Sequence, residues 1–298
     1  MILTVAFIVT GCSPSEQIPP DPECIFDDSP EPRLVCLNGT PVRIISLAPS
    51  NTEILFALGL GDRVAGVTDS CDYPPEALEK EKVGGPWTPP DVEKILYLEP
   101  DLILASDTNP FDTITILEEL GLTVFGIKSI DLDDVLNDVR TIGEITNKEV
   151  EAQLLTSEMA LGIQAVTNVT SGLEERPMVF YLLDTWGGLW TAGQGTFIHE
   201  LIVKGGGVNI CGNITGYPII SLPEVLARNP EVIITSSWPG VYEWVMNEAS
   251  LNSTAARQSN RVFVCDDNLA QRPGPRIVRG LEWFAHFIHP DIFDEPED

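Results

Sequence analysis

His199 and Glu200 open the pattern His-Glu-x-x-His, which sets two zinc ligands and a general base on one helix face, but Val203 stands where the second His is needed. The chain has only three His, and His286 and His289 sit together near its C-terminus. No two Cys have Cys-x-x-Cys spacing, so neither His nor Cys predicts a metal site. The Gly-x-Ser-x-Gly elbow, the phosphate loop and the Gly-x-Gly-x-x-Gly turn are all absent. With 45 Asp and Glu in the chain, no acid pair stands out as general acid and base. These absences predict a chain that is not an enzyme and carries no cofactor and no metal, with His199 on a helix surface.

Aromatic residues are the better chemical signal. Trp186 and Trp190 lie in Asp184-Thr-Trp-Gly-Gly-Leu-Trp-Thr-Ala-Gly193, directly after the strand-like run Val179-Phe-Tyr-Leu-Leu183. The carboxyl end of a strand is where open α/β sheets bind ligands. Tyr73 and Trp87 lie in a loop rich in Pro and Gly, within Cys71-Asp-Tyr-Pro-Pro75 and Gly84-Gly-Pro-Trp-Thr-Pro-Pro90. Flat rings on both sides of a cleft suit a large, mostly apolar ligand with polar edges. Core packing is the competing use for each of these rings.

The elements that would position them come from a duplication. Asp91 to Ser106 and Ser221 to Ser236 are related at an offset of 130 residues: Leu96, Pro100, Ile103 and Ser106 recur as Leu226, Pro230, Ile233 and Ser236, and Asp101 is answered by Glu231. Each copy reads as a short helix, a break at Pro and an acid, then a buried strand. Upstream, Thr52, Gly61 and Val64 align with Thr196, Gly205 and Val208 at an offset of 144. The offsets differ because the first copy carries an insertion, the loop that holds Tyr73 and Trp87. In this reading Val42 to Ala48 is a strand, Pro49-Ser50-Asn51-Thr52 caps the next helix, and Glu53 to Leu60 is that helix. Two similar lobes make a cleft, and a cleft holds a ligand. Between them residues 147–170 form one helix, with Val150, Leu154, Leu155, Met159, Leu161, Ile163 and Val166 at helical spacing. At about 1.5 Å per residue it spans roughly 35 Å.

Charge and cysteine usage bound the partners and the location. A net charge of −28 excludes a nucleic-acid binder, which needs a basic face for phosphates. Leu3 to Val9 is a short apolar run followed by Thr10-Gly11-Cys12 and a Pro-rich tether. This pattern is similar to a lipoprotein leader with Cys12 as the lipidated residue, and places the protein outside the cell, anchored to the outer face of the membrane. No Lys or Arg precedes the run, so the true start can lie upstream. Cys24 and Cys36 flank a turn-rich stretch and suit a hairpin closed by a disulfide. An odd thiol then remains among Cys71, Cys211 and Cys265. Asn38, Asn168, Asn213 and Asn252 begin glycosylation triplets, a pattern common by chance.

The segment Arg43-Ile-Ile-Ser-Leu-Ala-Pro-Ser-Asn-Thr-Glu53, the Asp72-Tyr-Pro-Pro-Glu-Ala77 loop and the long inter-lobe helix resemble the helical-backbone solute-binding proteins of ABC importers, over about Val42 to Phe287. The group carries cobalamin, iron-siderophores and haem. Tyr73-Pro74-Pro75, Trp87 and Trp190-Thr-Ala-Gly193 most resemble its cobalamin-binding branch, and Gln271 to Arg276 resembles the loop before its last helix. The resemblance implies two Rossmann-like α/β lobes joined by one long backbone α-helix, with the ligand cleft between them. Its domains would be a leader and tether over 1–23, a lobe over 24–146, the helix over 147–170 and a second lobe over 171–298. It implies a corrinoid ligand held by Tyr73, Trp87, Trp186, Trp190, Asn268 and Arg272. It also implies a monomer that docks on an ABC permease, driven by a separate ATPase, through one acid per lobe. In the first lobe that acid is Glu93. In the second the strict match is Pro223, and the acid falls one place later at Glu224. Two alternatives stand beside this: the same fold with a ferric siderophore or haem, and an exported hydrolytic enzyme on a two-lobed frame.

Overall fold

Short runs of Val, Ile and Leu, alternating with helical segments, form two parallel sheets in the computed structural model, which describes residues 23–27, 32–85 and 89–296. The described residues begin with an antiparallel hairpin of β1 (Glu23–Phe26) and β2 (Leu34–Leu37), joined by a disulfide between Cys24 and Cys36. The first lobe follows as β3 (Ile44–Ser46), α1 (Pro49–Ala57), β4 (Val64–Val67), β5 (Glu81–Lys82), α2 (Val92–Tyr97), β6 (Leu102–Ser106), α3 (Phe111–Glu119), β7 (Val124–Ile127) and α4 (Leu132–Ile145). Then comes α5 (Glu149–Thr170). The second lobe runs β8 (Met178–Leu182), β9 (Leu189–Trp190), α6 (Phe197–Lys204), β10 (Val208–Asn209), β11 (Ile219–Ile220), α7 (Leu222–Arg228), β12 (Val232–Thr235), α8 (Val241–Asn247), α9 (Ala255–Gln258), β13 (Val262–Val264), α10 (Asp267–Ala270) and α11 (Ile277–Ile288).

The duplication is visible as topology. The first sheet has the order β5-β4-β3-β6-β7 and the second β10-β8-β12-β13, all parallel. Setting aside β5, both sheets place the second strand on one side of the first and the third and fourth on the other. In each lobe the strand order therefore reverses between the first and third strands, and a crevice opens there at their carboxyl ends. The central strands β3, β6, β8 and β12 are buried on both faces, as parallel sheets require, while the edge strands β5, β10 and β13 are partly exposed.

The sequence repeat has a physical meaning at each matched position. Asp91 and Ser221 cap α2 and α7 by accepting from the backbone N–H three residues on. Glu99 and Asn229 adopt left-handed backbone, φ 46° and 43°, which turns the chain ahead of Pro100 and Pro230. Asp101 then accepts from the N–H groups of Val42 and Arg43, at 2.7 and 2.9 Å, and Glu231 from that of Met178, at 2.8 Å. Each acid thus fixes the start of its lobe's first strand against the third.

Two expectations change. The first helix begins earlier than Glu53, with Pro49 in its first turn, extended Ala48 at the cap and no side-chain cap. Proline suits that first position, because its φ is preset and it adds no N–H of its own to satisfy. Thr52, read as a cap residue, instead donates to Ser46 Oγ at 2.8 Å and lies 3.1 Å from Cys71 Sγ. In α5, Val150, Leu154 and Leu161 face solvent, and the buried stripe is Ala152, Thr156, Met159, Val166 and Thr170. Small residues take that face because α4 packs closely on it: a Cβ on Gly143 would lie 2.4 Å from Ala152 Cβ.

Helix α5 packs on α4 of the first lobe and on α6 and α11 of the second. One continuous core runs from Val67 and Leu104 through Met159 to Tyr181 and Leu281. Parting the lobes would expose that core, so the cleft between them has a width set by packing.

Candidate functional site

The two crevices face each other. The loop after β4 meets the loop before α11: Arg272 Nη1 lies 2.6 Å from Asp72 Oδ1 and 3.3 Å from Glu53 Oε1. Arg276 grips the same Glu53 at two points, Nε to Oε2 at 2.9 Å and Nη2 to Oε1 at 2.6 Å. Its guanidinium also lies over the Tyr73 ring, 3.8 Å from the centroid. Glu53 is only 2% exposed, so this is a buried charge satisfied from the opposite lobe. A second carboxylate crosses the other way. Glu200 of α6 accepts from the Leu132 N–H, at 2.8 Å, at the start of α4.

Each crevice is tied shut at its base by a polar side chain. In the first lobe Asn109 donates to Leu47 O at 3.0 Å and accepts from Ser106 N at 2.7 Å, linking the ends of β3 and β6. In the second, Ser236 Oγ donates to Leu183 O at 2.5 Å, linking β8 and β12. Asp267 completes the second floor by accepting from Tyr181 Oη, Gln271 and Ser237. Its charge and the burial of Tyr181 push that phenol well up, with burial the larger cause.

Above these floors stand the aromatic side chains. Trp186 is 83% exposed in a turn held by Asp184 Oδ1, which accepts from the N–H groups of Thr185 and Trp186. Trp190 is half-buried in β9, its indole N–H donating to Trp186 O at 2.9 Å and its strand paired with β11. Gly193 ends this segment, where a Cβ would fall 1.9 Å from Ile214 O, so the backbone approach admits only glycine. Tyr73, half-exposed, walls a groove of about 500 Å³ beside α1 with Pro74, Phe56 and Arg276. Asn268 is half-buried on α10, and its side-chain amide makes no hydrogen bond among the described residues.

Arg272 was expected at the ligand, and the structure places it in the seam, committed to Glu53 and Asp72. Trp87 and Cys12 lie outside the described residues. Glu93 is exposed in the first turn of α2, and Glu224 is partly covered in the first turn of α7, paired with Arg228. His199 is half-buried rather than on the surface, with Nδ1 3.2 Å from Asn209 Nδ2, and burial lowers its pKa. Cys71, Cys211 and Cys265 are all free and buried.

Three cleft residues escaped the sequence reading. Trp238, 53% exposed, follows β12 at the second crevice. Tyr217 precedes β11, and Asp107 follows β6 at the first crevice. Burial raises the Tyr217 phenol, and the charge of Asp107 on the opposite lobe raises it further. The repeat could have found two of them, since Asp107 follows its matched end Ser106 directly and Trp238 stands two residues after Ser236.

The periplasmic binding protein family matches residues 44–269. An uncharacterized substrate-binding lipoprotein of an ABC transporter from Bacillus subtilis is 32% identical over 268 residues, 88% of this chain and 84% of the relative. A cobalamin-binding protein of Halobacterium salinarum is 29% identical over 97% of this chain and 84% of its own. Among solved structures, the periplasmic vitamin B12 binding protein of Vibrio cholerae has a TM-score of 0.73 and 30% identity, covering 84% of this chain and 97% of that one. A periplasmic heme-binding protein from Roseiflexus sp. RS-1 has a TM-score of 0.74 and 26% identity, covering 84% and 98%. With duplicated lobes, facing crevices and these likenesses, the chain belongs to the periplasmic binding protein family, the solute-binding components of ABC importers, and is a binding protein rather than an enzyme.

Proposed function

We propose that this protein captures cobalamin or another corrinoid in the inter-lobe cleft and delivers it to an ABC permease. The observation that carries the reading is the set of rings at the two crevices: Trp186, Trp190, Tyr217 and Trp238 on the second lobe, with Tyr73 beside the seam of the first. Broad π faces suit a large flattened macrocycle, each good ring contact adding about 0.5–1.5 kcal/mol beyond burial. The Asn268 amide is free to meet a polar edge, and Trp87 falls in the same first-lobe insertion of the sequence as Tyr73. The cobalamin-binding and vitamin B12-binding relatives support this ligand, and the heme-binding one supports the fold with a different macrocycle. Axial ligation of haem iron wants a Tyr or a His, and the Tyr73 ring is covered by Arg276.

The protein would act outside the cell, held to the membrane through lipid on Cys12, as a monomer without a resident cofactor. The lipoprotein relative supports the anchor. Among the described residues no helix is long and apolar enough to cross a membrane. Glu93 and Glu224 would meet basic residues of the permease.

The test is retention. Purified protein mixed with cyanocobalamin should carry the red corrin absorbance through gel filtration, and Trp87→Ala or Trp238→Ala should weaken it. Loss of all corrinoid, with hemin or a ferric chelate retained instead, would overturn the ligand while leaving the fold intact.

A further inference from the structure

A second cavity lies beside the first crevice, on the far side of β6. The crevice opens between the ends of β3 and β6, where Asn109 ties the two together. The cavity begins beyond that tie, with Asn109 and Asp107 on its border. Its volume is about 410 Å³, within the roughly 300–1,000 Å³ of small-molecule sites. The floor is the carboxyl end of the sheet, where Ala105 and Ser106 of β6 pair with Gly126 and Ile127 of β7. One wall is α3, from Phe111 through Ile114 to Glu118. Seven residues of helix make that wall about 10 Å long.

The opposite wall comes from the hairpin. Arg33 lines the cavity and spans from Asp27 to Glu118 of α3. Asp27 is 3% exposed and accepts from the N–H groups of Arg33 and of Gly126 in β7, at 2.7 and 3.0 Å. The hairpin is thus pinned to the sheet edge and to α3 together, and its wall is in place without a ligand. It precedes residues 44–269, so this wall is an addition to the part of the lobe that the family match covers. Two carboxylates answer the charge of Arg33, so the cavity is not built for an anion. Its most conspicuous group is Phe111, 69% exposed at the start of α3, while Ile114 and Leu117 of the same helix are buried. A large ring at a cavity's edge that the core does not use is open to a ligand.

We propose that this cavity receives the aromatic base of the corrinoid's nucleotide arm while the macrocycle lies over the crevice. This rests on the corrinoid reading above and adds a second point of recognition to it. The arm leaves the rim of the macrocycle, crosses a sugar and ends in a flat two-ring base. Such a base is an apolar body that suits the floor, and it can meet the Phe111 ring edge-on or offset. Asp107, exposed between crevice and cavity, can accept from the hydroxyls of the sugar. A haem has no arm of this kind and would leave the cavity empty.

The experiment compares cyanocobalamin with dicyanocobinamide, the same macrocycle without its nucleotide, by spectral titration of the purified protein. Cyanocobalamin should bind roughly tenfold more tightly. Phe111→Ala should weaken cyanocobalamin about two- to tenfold and cobinamide less than twofold, and its exposure makes the change safe for folding. Trp238→Ala, at the second crevice, should weaken both ligands by similar factors. Equal binding of the two corrinoids by the parent would overturn the cavity assignment and leave the corrinoid reading intact. Phe111→Ala weakening both alike, or neither, would do the same. Retention of neither corrinoid, with hemin bound instead, would overturn the corrinoid reading and this assignment with it.

Discussion

Glu53 and Arg276 lie on different lobes, 223 positions apart, and hold each other at two points while the ring of Tyr73 covers the guanidinium. The pair sits beside the cleft, so it fixes where the ligand loop of one lobe stands against the last helix of the other. Removing one partner of a buried pair leaves the other charge stranded, at a cost of about 3–5 kcal/mol. Glu53→Gln should therefore lower the unfolding free energy by about 3 kcal/mol in chemical denaturation. Arg276→Lys should cost about 1 kcal/mol, because it keeps the charge and Arg272 still answers Glu53. Equal losses in the two variants would show that the seam is not organised around Glu53.

Acid should loosen the same seam through Asp72. Burial pushes its carboxyl up, but the hydrogen bond and charge of Arg272 outweigh this and hold it below the usual Asp value. A depressed carboxyl contributes stability above its unfolded pKa and loses it as pH falls through the folded one. Asp72→Asn should therefore be less stable than the parent at neutral pH, and the two should converge below about pH 3. A constant difference across that range would place the effect elsewhere.

Glu200 should behave in the opposite sense. Burial raises its carboxyl above the usual Glu value, only partly offset by the Leu132 N–H and Lys204. A raised carboxyl contributes stability below its unfolded pKa and loses it as pH rises through the folded one. Glu200→Gln keeps an acceptor for Leu132. The variant should match the parent in acid and gain on it as pH rises above about 5. Thermal melts across that range give the comparison, and a gain that appears only in acid would reverse the assignment.

Trp186 and Trp238 should report the ligand directly. Both are exposed, so the free protein should show red-shifted tryptophan emission that a bound corrinoid quenches. Removing either ring should weaken binding by about two- to tenfold, corresponding to about 0.5–1.5 kcal/mol per ring contact. Quenching unchanged in Trp186→Phe and Trp238→Phe would place the ligand away from these crevices.

The duplication was legible because its signals are local. Helix caps, the break before Pro100 and Pro230, and the buried strands are written in consecutive residues, and so were the ends of β6 and β12. The seam was not legible. Glu53 reads as an ordinary acid in the first turns of a helix, and nothing local pairs it with Arg272 or Arg276, because these partners lie more than two hundred residues away. Val150, Leu154 and Leu161 stand at helical spacing and are exposed, since helical spacing gives a stripe but not the side on which neighbours pack. Trp190, read as a cleft ring with core packing as its competing use, is half-buried, and its backbone pairs β9 with β11.

The one-residue offset between Glu93 and Glu224 has a consequence for recognition. Their helices are capped alike, by Asp91 and Ser221, so one acid is the second helical residue and the other the third. One residue along a helix is about 100° of rotation and about 1.5 Å of rise. A molecule of two matching halves can be taken up the wrong way round by a partner that reads only the halves. Here the two acids leave their helices in different directions, and Arg228 shields the second alone. The protein is thus keyed like a plug with offset pins, and a partner reading both acids would accept it in a single orientation.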